Sequence, residues 1–374
     1  MKTVFTLFCT VLIFANTGHA FDSALTIAEM IVLDGTEMST RFQVFNNRFE
    51  KTCELLIDGV MPRLSPDKGR IAYSNGKPTV PRLVLIDLAG NHLRYPPFLL
   101  EKHVRGWQIA GLEWSPDSRQ IAIVVSGPRF SRDGYKVRLL VYNLETNRYD
   151  SCYRSNSQIS EGAYFQLTAK WFPDNRKILV QDNLMPGSEK VVVVDSTSGD
   201  QDLVYEGATV SSKLVHNGKD ILIVAQEGKR CFSFGGDRTD KKHTISIFNI
   251  EKKQLSTIAQ PSFSTNLLRH HVIGQNDSKI FILPGSILRD TDLTLVDIDT
   301  QGVNTVKLDD NHFFPQAVSP YDHLVLCGLT ENGYASLDLN THEMITFRSF
   351  STNSPTGEQA LGPMLFFNRI EWLD

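Results

Sequence analysis

The sequence predicts an all-β chain of repeated four-stranded units closed into a ring, a β-propeller, and three observations predict it. The stretch 111–125, GLEWSPDSRQIAIVV, reads as an apolar strand, a tight Ser-Pro-Asp turn and a second apolar strand. The same grammar returns along the chain with anchor residues 43 to 59 positions apart, which is the period of a propeller blade whose loops vary in length. The two ends are complementary: Ile370-Glu371-Trp372 echoes Leu112-Glu113-Trp114 with no strand after it, whereas the N-terminal part supplies strands that have no inner partner.

The turn chemistry explains the repeat. Proline fixes φ for the first central position of a type I turn, and the Asp after it tolerates the bridge region and accepts hydrogen bonds from nearby backbone. The β-branched run after the turn favours a strand, and its near-continuous apolarity suits a strand covered on both faces.

Taken in order, strands are expected at 24–33, 40–46 and 51–57. An inner-strand residue then steps seven positions across a turn to the next strand, at Leu64 to Ile71, Trp114 to Ile121 and Trp171 to Ile178, through Ser-Pro-Asp or Phe-Pro-Asp. A degenerate His216-Asn217-Gly218 turn carries the same step from Leu214 to Ile221, Gly274-Gln275-Asn276-Asp277 carries it from Ile273 to Ile280, and Ser319-Pro320 carries it from Val318 to Val325. Each unit continues with a third strand ending in an Asp or Asn turn, at 83–91, 137–147, 190–200, 244–253, 293–302 and 334–342, and then a more polar fourth strand. Pairing an inner strand around Trp372 with the three N-terminal strands closes the ring and removes its open edges. That count gives seven blades; six is the alternative, with the N-terminal strands as an irregular flap. Trp114, Trp171 and Trp372 are expected as core or channel-wall residues.

The segments LEWSPDSRQIAIVV, AKWFPDNRKILVQD and RLSPDKGRIAYSN resemble the TolB-like, or PD40-type, β-propeller repeat, a WD40-like pattern common in exported bacterial proteins. The Gly-His and Trp-Asp pairs of WD40 itself are missing. The chain departs from the PD40 pattern directly after the turn Asp, where Lys68, Ser118 and Asn175 replace the usual Gly. The resemblance implies a fold; propellers host many unrelated roles.

Residues 1–20 read as a signal peptide: Lys2, an apolar run over 4–15, and Gly18-His19-Ala20 before a cleavage site at Phe21. Residues 21–374 are then one propeller domain, periplasmic or secreted. A net charge of −4 without a basic stripe argues against nucleic acid as a partner. Of the mature cysteines Cys53, Cys152, Cys231 and Cys327, none forms a C-x-x-C pair, so the spacing signals neither zinc nor a redox couple; Cys53 and Cys327 read as buried strand thiols.

No G-x-S-x-G elbow is present: the serines of Pro186-Gly187-Ser188 and Pro284-Gly285-Ser286 lack the second Gly. The long connections opposite the Ser-Pro-Asp turns carry Arg105, Trp107, Arg129, Phe130, Arg132, Tyr135, Arg230 and Arg238, and arginines and aromatics on loops of a rigid scaffold point to binding. The expected function is an exported, non-enzymatic binding protein that engages a protein or an anionic ligand through this loop face, without a cofactor. The alternative is a polysaccharide lyase or hydrolase using a metal held at the channel mouth by His103, His270, His271 and His312; some propeller lyases use a comparable arrangement.

Overall fold

The computed structural model describes residues 24–33, 37–46, 48–75, 82–94, 107–127, 135–157, 167–183, 189–226, 240–260, 262–264, 271–276, 279–283, 293–300, 302–306, 314–318, 325–330, 333–338, 341, 343–349, 359–360 and 369–373. Every element among them is a β-strand or a turn. The first sheet holds β1 (Ala24–Leu33), β2 (Glu37–Phe45) and β3 (Lys51–Ile57). The second is β4 (Val60–Leu64), β5 (Arg70–Ser74), β6 (Leu83–Asp87) and β7 (His92–Arg94). The third is β8 (Gln108–Trp114), β9 (Gln120–Ser126), β10 (Tyr135–Asn143) and β11 (Arg148–Ser157). The fourth is β12 (Leu167–Trp171), β13 (Lys177–Asp182), β14 (Lys190–Asp195) and β15 (Gln201–Glu206).

The fifth sheet holds β16 (Thr209–Val215), β17 (Asp220–Gln226), β18 (Asp240–Asn249) and β19 (Gln254–Ala259), with β20 (Ser262–Ser264) on the far end of β18. The sixth is β21 (His271–Asn276), β22 (Lys279–Leu283), β23 (Leu293–Asp297) and β24 (Val303–Val306). The seventh is β25 (Phe314–Val318), β26 (Val325–Thr330), β27 (Gly333–Asp338) and β28 (Met344–Ser349). Two last strands, β29 (Gln359–Ala360) and β30 (Arg369–Leu373), return to pair with β1. The described residues thus form seven antiparallel sheets.

The inner strands pack in a ring. β4 lies against β8, β8 against β12, β16 against β21, β21 against β25 and β25 against β30, while β1 meets β4. The closing pair sets Leu25 opposite Trp372 and Ala28 opposite Arg369, so the inner strand from the C-terminal part completes a sheet begun by three N-terminal strands. Between the sheets lie apolar layers. One joins Trp114, Ile121 and Tyr142 to Leu83 and Leu85 of the second sheet; another joins Leu139 and Tyr153 to Trp171, Ile178 and Val192.

Trp114 and Trp171 are both buried, and each indole also spans two sheets: Trp114 Nε1 donates to the Arg63 carbonyl (3.0 Å) and Trp171 Nε1 to the Glu113 carbonyl (3.2 Å). The side chain of Trp372 lies outside the described residues. Cys152 is a buried free thiol, pushed up to about 12 by burial, and Cys53 is a half-buried free thiol.

The turns show why the repeat is spelled as it is. Ser65 Oγ donates to Asp67 Oδ1 (2.5 Å) and accepts from Arg70 N (3.0 Å); Ser115, Asp117 and Gln120 repeat this at 2.6 and 2.9 Å. The next residue is left-handed in all three proline turns: φ is 58° at Lys68, 59° at Ser118 and 57° at Asn175. Glycine would adopt this conformation without strain, and the two polar replacements do something glycine cannot. Ser118 Oγ accepts from Asp67 N (2.9 Å) and Asn175 Oδ1 accepts from Asp117 N (2.8 Å), each reaching back to the preceding sheet's turn. The strand-end Asp or Asn turns recur as expected: Asp87, Asn143, Asp195, Asn249, Asp297 and Asp338 each accept a backbone N–H two to four residues on.

The seven-residue step holds at Leu64–Ile71, Trp114–Ile121, Trp171–Ile178 and Leu214–Ile221. It fails in the last two sheets, where Ile273 pairs with Phe281 and Val318 with Leu326, one residue beyond the expected partner. Gly274 and Gln275 replace the proline turn at the first of these, and a bulge falls between Ile273 and Asn276. Register follows turn geometry; in the sixth sheet no proline fixes the turn, whereas in the seventh the step lengthens although Ser319-Pro320 follows Val318.

Candidate functional site

Each sheet has two ends. The Ser-Pro-Asp turns close one; the long connections 76–81, 128–134, 184–188 and 227–239 leave from the other. On the turn end several charged groups are paired. Arg70 pairs with Asp67 (2.7 Å) and lies 5.4 Å over the Trp114 ring, Arg176 pairs with Asp195 (2.6 Å), and Arg119 with Glu145 (3.4 Å).

The loop end of the third sheet is arranged differently. Trp107 precedes β8 and is 7% exposed. Its ring backs onto Gly127, where a Cβ would sit 3.4 Å from the indole, so glycine there lets the backbone close over the ring. The Arg138 guanidinium lies 5.3 Å over the same ring. Such stacking contributes about 0.5–2 kcal/mol, depending on how dry the contact is, and it fixes the cation at the root of the 128–134 connection. Arg138 stands directly opposite Arg154 on β11. Directly opposed like charges destabilise a sheet pair, and neither arginine joins an ion pair among the described residues.

On the other face of this sheet, Tyr153 donates to Asp182 Oδ2 (2.6 Å) and carries the Lys190 ammonium 5.6 Å over its ring. Burial, with the Asp182 charge second, pushes the Tyr153 hydroxyl well above its ordinary value, so it stays a donor. Beyond Asp182 the buried polar groups continue: Gln181 links Thr209 and Ser212 of the fifth sheet, Glu189 is 1% exposed, and Asn183 Oδ1 is buried with no hydrogen-bond partner among the described residues. The legible signal for this polar cluster is three consecutive polar residues, Gln181 to Asn183, after Ile178-Leu179-Val180.

Of the residues expected at the site, the structure places Trp107 completely, and as a buried support for Arg138. Tyr135 opens β10 opposite Ser157 and His271 opens β21 opposite Leu283, with their side chains outside the described residues. Arg105, Arg129, Phe130, Arg132, Arg230, Arg238, His103, His270 and His312 lie outside the described residues. Among the described residues no group of three His, Cys, Asp or Glu is arranged to hold a metal ion.

Comparison with known proteins now defines the class. The chain is similar to the β-propeller domain of the Trilobed protease from Pyrococcus furiosus, at 16% identity over 88% of this chain and 96% of that one, with a TM-score of 0.54. It is also similar to an oligogalacturonate lyase in complex with manganese, at 12% identity over 80% of this chain and 84% of that one, with a TM-score of 0.55. TolB from Acinetobacter baumannii matches at 13% identity over 85% of this chain and 78% of that one, with a TM-score of 0.45. The protein is a β-propeller, as its TolB-like repeat implied. The Pyrococcus propeller has an open velcro topology, whereas here β30 pairs with β1. No protein-family model and no curated protein matches the chain. No described helix is long and apolar enough to cross a membrane.

Proposed function

We propose that this chain is an exported, non-enzymatic propeller of seven blades that binds an acidic peptide or an anionic sugar through its loop end. The observation that carries the reading is the pair Arg138 and Arg154. They are opposed in register without an ion pair among the described residues, and one is held in place by a buried tryptophan. On the turn end, Arg70, Arg119 and Arg176 have carboxylate partners. Opposed guanidiniums suit a ligand oxyanion, because arginine forks match carboxylate and phosphate geometry. The sequence adds Arg105, Arg129, Arg132, Arg230 and Arg238 in the connections expected on the same side, on a chain of net charge −4.

Binding of a fluorescent poly-glutamate peptide and of polygalacturonate tests the reading. Arg138→Glu and Arg154→Glu should each weaken the preferred probe about tenfold, with the native fold retained by circular dichroism. Unaltered binding in both variants overturns it. Elemental analysis of protein purified without chelator separates the enzymatic alternative. Stoichiometric metal, lost on substituting His103, His270, His271 or His312, together with cleavage of polygalacturonate, replaces the binding reading with the lyase one. Recovery of a mature N-terminus at Phe21 checks export.

A further inference from the structure

The buried polar groups between the fourth and fifth sheets have no part in the anion site of the third sheet. Strand alternation puts Leu179, Gln181 and Asn183 on one face, and Leu179 packs with Val191, Ile221, Ile223 and Ala225 in the layer that joins the two sheets. Toward the loop end this apolar layer gives way to oxygen. Gln181 Nε2 donates to the Thr209 carbonyl (3.4 Å) and Ser212 Oγ donates to Gln181 Oε1 (3.0 Å), so both ends of that amide are engaged. Thr209 Oγ1 donates to the Gly207 carbonyl (3.0 Å), and Gly207 N donates to the Glu189 carbonyl (2.8 Å). Asp182 pairs with Lys190. Asn183 and Glu189 are therefore the next residues on either side of the same hairpin, and they share the face of Gln181 and Val191.

Two observations ask for a ligand there. Asn183 is 6% exposed, and its Oδ1 has no hydrogen-bond partner among the described residues. A buried acceptor in a folded protein is normally met by a donor, a water or an ion. Glu189 sets a carboxylate at the same depth. A water would answer the amide oxygen alone, whereas a cation answers the amide and the carboxylate together. The donors are amide, carboxylate and hydroxyl oxygens, a set that suits a hard cation. Gln181 and Thr209 are also buried, which leaves little space for the several waters that magnesium keeps; calcium accepts protein oxygens in a flexible geometry. The neighbouring charges are turned away: Lys190 lies over the Tyr153 ring and Asp182 accepts the Tyr153 hydroxyl, both on the face toward the third sheet.

We infer that Asn183 Oδ1 and the Glu189 carboxylate bind a calcium ion between the fourth and fifth sheets, beside Thr209 at the head of β16. With one charged ligand the site is weak, with a Kd of about 0.1–1 mM, the range of extracellular calcium modules. The ion braces the hairpin where the 184–188 connection leaves it. The site is separate from Arg138 and Arg154 and does not depend on what binds there.

The test uses the full chain stripped of metal by a chelator that is then removed, with methyl-labelled Ile, Val and Ala. Calcium chloride should raise the melting temperature and saturate in the millimolar range, and it should act more strongly than magnesium chloride at equal ionic strength. It should shift the methyl signals of Val191, Ile223 and Ala225 and leave those of Ile121 and Ile123 in place. Glu189→Gln and Asn183→Leu should each weaken calcium about tenfold or more, and Asn183→Asp, which adds a second carboxylate, should tighten it about tenfold. Arg138→Glu and His103→Ala should leave calcium affinity unchanged, which sets this ion apart from a metal at the channel mouth. The inference is overturned if calcium changes neither the melts nor these methyl signals, if magnesium acts equally, or if Glu189→Gln and Asn183→Asp bind calcium as the parent does. Loss of calcium binding in His103→Ala overturns it as well. So does a higher melting temperature of calcium-free Asn183→Leu with no effect of calcium on the parent, the result expected if a buried water meets the amide oxygen.

Discussion

The proline-turn sheets and the later sheets reach the same architecture by different means. In the second, third and fourth sheets the Ser-Pro-Asp or Phe-Pro-Asp turn fixes the strand step, and Ser118 and Asn175 carry a hydrogen bond back to the turn before. Trp114 and Trp171 add a second bond between the same neighbours. In the fifth sheet the step survives on another device: His216 Nδ1 meets Asp220 Oδ2 at 2.6 Å, and Gly218 turns the chain at φ 78° against Pro173. In the sixth and seventh sheets the step itself lengthens. The strand ladder tolerates several turns. The Pro-Asp turns of the second to fourth sheets add a set of bonds that join one sheet to the next.

The largest expected break in that comparison is at the indoles. Trp114→Ala removes a buried ring and its inter-sheet bond and should cost about 3–5 kcal/mol in denaturant unfolding. Leu214→Ala, the counterpart in the fifth sheet, is only part-buried and should cost about 2 kcal/mol or less. Equal costs would mean that the tryptophans add nothing to their sheets beyond ordinary burial. Next is Gly218→Ala. Its Cβ would stand 2.6 Å from Pro173 Cδ on a left-handed backbone, so a loss of about 1–3 kcal/mol is expected. A neutral result would show that the fifth turn does not lean on the fourth.

Smaller and sharper is the pair Ser118→Ala and Ser118→Gly. Both lose the acceptor for Asp67 N–H, at about 1 kcal/mol, but glycine regains roughly 1 kcal/mol of backbone strain at φ 59°. Thermal melts should therefore rank serine and glycine close together and alanine clearly below them. The smallest effect is acidic. Asp195 is held below the ordinary carboxylate value of 3.8, first by the Ser198 N–H and then by Thr197 and Arg176. Its folded value lies below the unfolded one, so its contribution is present above the unfolded value and is lost as pH falls through the folded value. Asp195→Asn should reduce the difference in stability between pH 6 and pH 3, measured by urea midpoints; an unchanged difference would show that the strand-end turns do not feel their charge.

Much of the fold was legible because its grammar is local. A proline two residues after the strand, an Asp three residues after it and a β-branched run specify a hairpin within a dozen residues, and the echo of Trp114 at Trp372 was enough to place the closing strand. The one-residue lengthening after Ile273 and Val318 was not legible, since spacing alone does not say where a bulge sits, and Pro320 after Val318 did not prevent the longer step. The site was less legible for a related reason. Trp107 reads as a loop aromatic from its neighbours Arg105 and Gly106, yet Gly127, 20 residues later, lets the chain close over it. Arg138 and Arg154 each look like an ordinary polar position on a strand; only the register of β10 with β11 makes them a pair.

The pairing of β1 with β30 also sets an order of assembly during synthesis. β1 to β3 are made first, but the inner strand that completes their sheet is made about 340 residues later. At roughly 5–20 residues per second that is a wait of roughly 17–70 s. For that interval the growing chain carries an open strand edge on β1, a ready template for pairing with another chain. A factor that shields exposed strands during synthesis would act on this edge.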